Sequence, residues 1–124
     1  MNRQEGSLTW VVPDGWLPPE GGEGDMINHE SLMILNTGTE KAEIRIDIYF
    51  EDSQPVLDLP LEVGGERIKA IRLDDPAQLG YKLPRCTQYA LRLRSNVRVI
   101  VQYGRMDVRQ PNLAYYGTMA YPAN

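Results

Sequence analysis

Apolar and polar residues alternate along most of this chain, the two-residue period of strands that bury one face. Residues 42–50 are the clearest case: Ile44, Ile46, Ile48 and Phe50 fall on one side, and Glu43, Arg45, Asp47 and Tyr49 on the other. The same pattern groups Leu8, Trp10 and Val12 in 7–12, and sets Tyr89, Leu91 and Leu93 against Arg92 and Arg94 in 88–94. Further strands are predicted over 26–36, 56–63, 66–73 and 114–121, the last rich in tyrosine. Pro60 marks 56–63 as an edge or interrupted strand. Turn formers fill the segments between: 13–24, Asn36-Thr37-Gly38, 51–55, Gly64-Gly65, 74–84, Ser95-Asn96 and Pro111-Asn112. Gly64-Gly65 suits a tight hairpin. No stretch carries a convincing helical period. Eight or nine strands with regularly spaced turns predict an all-β chain, an antiparallel, jelly-roll-like β-sandwich without significant helix. Ile44, Ile46, Ile48, Leu91, Val99 and Val101 are its expected core.

The stretch 95–110 organises the rest. Val97, Val99, Val101 and Tyr103 alternate with Arg98, Ile100 and Gln102. Beyond Gly104 the apolar residues, Met106 and Val108, take the other parity, and Arg105, Asp107 and Arg109 occupy the odd positions. A glycine inside a strand pattern often marks a bulge that re-aims the side chains after it. Gly104 therefore reads as the point where a central strand leaves the core. Side chains two apart on a strand lie roughly 6.5–7 Å apart. Arg105, Asp107 and Arg109 are then either a salt-bridge ladder on a solvated edge or three polar groups gripping one small ligand. Parity also bears on His29 and Glu30. Asn28 and Glu30 share a face with Leu32 and Ile34, whereas His29 lies on the other, so the two form no adjacent dyad. Trp16 and Leu17 are too apolar for a free loop; Trp16 either pins its loop to the core or stacks on a sugar ring.

Composition narrows the class. The 124 residues, 42% hydrophobic, suit one domain, 1–124, with a real core. Mean hydropathy is -0.41, and no apolar run is long enough for a membrane-spanning helix. The first six residues lack the apolar core of a signal peptide. Cys86, the single cysteine, leaves no internal disulfide. A cytoplasmic location is expected. The net charge of -4 hides an asymmetry: residues 1–84 carry -9 and residues 85–124 carry +5, the latter with six arginines, no lysine and one acid, Asp107. Arginine favours bidentate recognition of carboxylates and phosphates. The asymmetry fits pairing of the chain with itself, within a monomer or between subunits. It equally fits an anionic ligand, or nucleic acid held by Arg92, Arg94 and Arg98.

Signatures of catalysis are missing. The chain has no phosphate-binding loop, no dinucleotide glycine fingerprint and no nucleophile elbow. One histidine and one cysteine build no multi-histidine or paired-cysteine metal site within a chain. A binding module is expected, not an enzyme, with no cofactor and no metal.

Several runs, taken together, resemble the Anabaena sensory rhodopsin transducer family. They are Ser95-Asn96-Val97 with the valine-rich strand to Gln102 and then Arg105, Asp107 and Arg109-Gln110; Trp10 with Asp14-Gly15-Trp16-Leu17-Pro18-Pro19; Ile27-Asn28-His29-Glu30-Ser31 with Leu35-Asn36; Phe50 to Val56; Arg67-Ile68-Lys69 with Arg72; and Thr118 to Tyr121. The resemblance covers nearly the whole chain. Arg98, Ala70 and Tyr103 depart from it, standing where the family often has proline or histidine.

The resemblance implies a small cytoplasmic β-sandwich that assembles as a homotetramer. It relays a signal, from a membrane sensory rhodopsin or another receptor, and binds a small molecule, a sugar or related metabolite. The ligand-binding set it implies is His29, Glu30, Arg67, Arg72, Arg105, Asp107 and Arg109, with Trp10 and Asn36 nearby. Trp10 or Trp16 would supply a stacking wall. The alternative is a DNA-binding transcriptional regulator downstream of a photoreceptor.

Overall fold

The computed structural model describes residues 4–24, 26–110 and 114–123. In chain order their elements are β1 (Ser7–Trp16), β2 (Gly22–Glu23), β3 (Met26–Ile27), β4 (His29–Asn36), β5 (Ala42–Phe50), β6 (Val56–Val63), β7 (Arg67–Arg72), α1 (Pro76–Leu79), β8 (Gln88–Asp107), β9 (Ala114–Met119) and β10 (Tyr121–Pro122). The strand pairings are antiparallel, and eight strands join one network while β2 and β3 form a small separate ribbon. The expected antiparallel sandwich is what the chain forms.

Twenty-residue β8 is the spine. Its first half lies between β1 and β5, with β10 and β6 beyond them. Its second half lies between β4 and β9, with β7 beyond β4. Odd-numbered residues face inward along both halves: Tyr89, Leu91, Leu93, Val99, Val101 and Tyr103 are all buried. Tyr89 and Tyr103 are fourteen positions apart, roughly 46 Å on a straight strand. Their hydroxyls nonetheless bond one carboxylate, that of Glu30. The strand therefore bends and turns its two halves face to face around one core. Ile44, Ile46, Ile48, Leu91, Val99 and Val101, the expected core, are at most 1% exposed. Each such side chain contributes about 1.5–3 kcal/mol by leaving water. Trp10 is buried with them, and its indole N–H donates to the carbonyls of Ser7 and Val99.

Several local expectations are corrected. Ser95-Asn96 is not a turn: Ser95 pairs with Ile44, the Asn96 carboxamide oxygen accepts from the Glu43 amide at 2.7 Å, and the strand runs on. Gly64-Gly65 closes no hairpin, because β6 pairs with β5 and β7 with β4. The two glycines carry the chain from one sheet to the other. The 13–24 segment is not all loop, since β1 continues past a register shift between Val12 and Gly15 to bring Trp16 beside Gln88. The 26–36 strand is divided at Asn28, whose side chain donates to the Pro19 carbonyl and accepts from the Val108 amide. Within 74–84 one helical turn forms, with Asp75 as N-cap accepting from the Ala77 amide and Pro76 at its start. No bulge occurs at Gly104, where the pairing with both β4 and β9 stays in register. The Pro111-Asn112 break lies outside the described residues.

The charge asymmetry closes largely within the chain. Arg85 pairs with Asp74, Arg92 and Arg94 with Asp47, Arg94 also with Asp58, and Arg105 with Glu30. Arg109 pairs with Asp107, and Arg98 donates to the Gly6 carbonyl. Among the described residues no helix is long and apolar enough to cross a membrane.

Candidate functional site

The inward face of β8 changes character without changing direction. Val99, Val101 and Tyr103 lie in the core, and the next residues on that face, Arg105 and Asp107, emerge at the mouth of the sandwich. The polar run after Gly104 is thus the same strand face continued past the end of the core. The sequence pattern located this point correctly, although a bulge is not its cause.

Glu30 organises the mouth. It stands directly across from Arg105 in the β4–β8 ladder and is fully buried. One carboxylate oxygen accepts from the Tyr89 hydroxyl at 2.6 Å. The other accepts from the Tyr103 hydroxyl, from Arg105 Nε at 2.9 Å and from the Trp16 backbone amide at 3.1 Å. Four donors from β1 and both halves of β8 therefore converge on one charge, which is how a buried carboxylate is tolerated. Burial works against the Arg105 charge, and the Glu30 carboxylate outweighs it, so the Arg105 pKa is raised. Burial, and then the charge of Glu30, push the Tyr89 hydroxyl well above the usual tyrosine range. Both settings hold at neutral pH: Arg105 cationic, Tyr89 a neutral donor.

Above this cluster stand aromatic rings and a second ion pair. The Arg105 guanidinium lies 5.9 Å from the Trp16 ring centroid and 5.6 Å from that of Tyr116, its cross-strand neighbour on β9. Arg109 lies 5.1 Å from Trp16. These distances are in the range of cation–π attraction. Asp107 accepts from both Nε and a terminal nitrogen of Arg109, and that hydrogen-bonded pairing holds its carboxyl below the usual range. Asp107, Arg109, Gln110 and Ala114 line a cavity of about 390 Å³.

Of the nine residues expected at a site, Glu30, Arg105, Asp107 and Arg109 meet at this mouth. The others do not. Trp10 is a core residue with its N–H satisfied on the backbone. Asn36 is buried at the far end of β4, donating to the carbonyls of Glu40, Val63 and Gly64. Arg67 pairs opposite Asn36 and bonds its own turn. His29 points away from Glu30, as its parity predicted, with Nδ1 2.7 Å from the Ile27 carbonyl. Arg72, across from Ser31, makes a bidentate bond to Asp74. The strand periods placed these residues on strands; only the pairing order puts Arg67 and Asn36 at the opposite end.

Trp16, one of the two tryptophans expected as a stacking wall, stands at the mouth; Tyr89, Tyr103 and Tyr116 complete it and were not in the expected set. A signal for Tyr89 and Tyr103 was present: a tyrosine on an otherwise aliphatic inward face carries a hydroxyl that must find a partner in the core. The arginines expected to hold nucleic acid are committed elsewhere. Arg92 and Arg94 bracket the fully buried carboxylate of Asp47 at 2.9 and 3.0 Å. Burial alone would raise the Asp47 pKa, but the bonds from Arg94, the Asp58 amide and Arg92 lower it.

Fold and mouth together define a class: a small antiparallel β-sandwich with a buried carboxylate hub under an aromatic and arginine rim. The chain belongs to the Anabaena sensory rhodopsin transducer family, whose model matches residues 5–122. It is similar to the crystal structure of Thermotoga maritima 1070, with a TM-score of 0.83 and 39% identity over 95% of this chain and 96% of that one. The Anabaena sensory rhodopsin transducer matches with a TM-score of 0.74 and 36% identity over 88% of this chain and 96% of that one. A comparison with the curated proteins gives no match.

Proposed function

We propose that this protein is a cytoplasmic, non-enzymatic signalling module that binds a small sugar-like molecule at the mouth of its sandwich. One observation carries the reading. Glu30, fully buried, spends its carboxylate on holding Arg105, Trp16, Tyr89 and Tyr103, and beside that cluster Arg109, which lies against Trp16, lines an open cavity with Asp107, Gln110 and Ala114. A fold that needed only stability would fill this space with apolar side chains. Here Asp107 offers acceptor oxygens, the arginines offer donors, and Trp16 offers a flat apolar wall, the combination that hydroxyl-rich rings require.

The relay runs through protein contacts. The cavity is lined by both arms of the β8–β9 hairpin, and Tyr116 of β9 touches Arg105. The outward face of the β7–β4–β8–β9 sheet is apolar and uncovered, with Ile68 66%, Met119 54% and Tyr115 53% exposed. We assign this face to assembly into a homotetramer, and β9 to contact with a receptor, which for the related Anabaena protein is a sensory rhodopsin.

Calorimetric titration with neutral sugars tests the binding reading, with Trp16 fluorescence as a second readout. Asp107→Asn keeps the shape and removes the charge. Its pair with Arg109, at the end of β8, is solvent-exposed, so the free protein is expected to keep its Tm within about 2 °C while ligand binding is lost. A large drop in Tm with unchanged binding would make the pair structural and end the proposal.

A further inference from the structure

The chemistry of the same cavity also indicates the class of ligand, an inference that rests on the binding reading above. Glu30 bonds Arg105 through Nε, and among the described residues no acceptor meets either terminal nitrogen of that guanidinium. Asp107 takes Nε and Nη2 of Arg109, and Nη1 is likewise open. Both guanidiniums lie against the same indole, Trp16, at 5.9 and 5.1 Å from its centroid, and Arg109 also lines the cavity. Guanidinium edges match planar oxyanions and bond them through paired, charge-assisted hydrogen bonds. We propose that the ligand is a six-carbon sugar acid, whose carboxylate is held by the open edges of Arg105 and Arg109 while its carbon skeleton lies along Trp16.

Charge and size select within that class. Glu30 and Asp107 already neutralise one arginine each, so the mouth holds no surplus cation. It accommodates a single negative charge bonded edge-on and disfavours a phosphate dianion. The cavity, about 390 Å³, is at the small end of ligand sites, which run from about 300 to 1,000 Å³. It suits one monosaccharide-sized molecule rather than a nucleotide. A neutral sugar would leave both guanidinium edges without a charged acceptor, and its hydrogen bonds there would be roughly half as strong.

Isothermal titration of the full chain with D-gluconate, D-glucuronate, D-glucose and glucose 6-phosphate separates the possibilities. One of the two acids is expected to bind at least about tenfold more tightly than glucose or the phosphate ester. Its affinity should weaken with added salt, as an exposed charged contact does. Arg109→Gln, which leaves the Glu30 cluster untouched, should cost about tenfold in acid affinity with little change in Tm. Glucose binding as tightly as the acids overturns the sugar-acid assignment and leaves the binding reading standing. Preferential binding of the phosphate ester also overturns it, as does full acid affinity in Arg109→Gln. No heat with any of the four overturns both readings.

Discussion

At the scale of single residues, two carboxylates in one neighbourhood have opposite roles. Glu30 is buried and accepts four hydrogen bonds, so Glu30→Gln removes the carboxylate that pairs with a largely buried arginine. A cost of about 3–5 kcal/mol is expected from urea denaturation, the range for a broken buried pair. Asp107, by contrast, pairs with an arginine half in water, so its loss is expected to cost the fold little. A third carboxylate sets the acid limit. The folded pKa of Asp47 lies below its unfolded value, so its contribution is complete above about pH 4 and fades as pH falls through the folded value. The Tm of the native chain should therefore fall below about pH 4, and more steeply than that of Asp47→Asn. Equal slopes for the two proteins would remove Asp47 from the account.

At the scale of elements, the glycines of β1 and β8 separate close packing from strand bending. A Cβ on Gly15 would lie 2.3–2.6 Å from three atoms of the Tyr89 ring, which is buried and tied to Glu30. Gly15→Ala is expected to cost about 1–3 kcal/mol by overpacking, and to loosen Trp16 with it. A Cβ on Gly104 would meet the Tyr115 hydroxyl at 2.4 Å, the free end of a half-exposed side chain that can swing aside, and the Tyr116 backbone carbonyl at 3.3 Å, a contact relieved by a shift of a few tenths of an ångström. Gly104→Ala should cost less than about 1 kcal/mol. Denaturation midpoints in the reverse order would restore the bulge at Gly104 and refute a regular β8. Strand periods, edges and turn residues made most of these elements legible in the sequence. Two of the errors fell at Ser95-Asn96 and Gly64-Gly65, where residues that favour turns were enlisted for a bend within a strand and for a crossover between sheets. Local composition is the same in both uses; the partner strand decides.

At the scale of the whole molecule, assembly should depend on apolar area and not on charge. The basic segment spends five of its six arginines on acids of the same chain, which leaves little opposite potential for a neighbour. The uncovered sheet face, with Leu35 beside Ile68 and Gln102 beside Met119, offers the alternative. Sedimentation equilibrium is expected to give the same tetramer at 0.1 and about 1 M salt, because apolar burial is not screened. The pair Ile68→Lys and Met119→Lys should yield monomers. Dissociation by salt alone would return the assembly to charge pairing.

The sequence alone determined the all-β class, the inward residues of the core strands apart from Leu8, which a register shift in β1 leaves 42% exposed, and the place where Arg105, Asp107 and Arg109 leave the core. These follow from a period of two, which any residue reports through its own polarity and its immediate neighbours. It also determined that His29 and Glu30 diverge. Only the tertiary structure decided that Glu30, Tyr89 and Tyr103 share one carboxylate, that Arg67 and Asn36 lie at the far end, and that Arg92 and Arg94 are spent on Asp47. Those facts depend on which strands pair and on where β8 bends. Periodicity carries neither, because a strand has the same pattern whichever neighbour it meets.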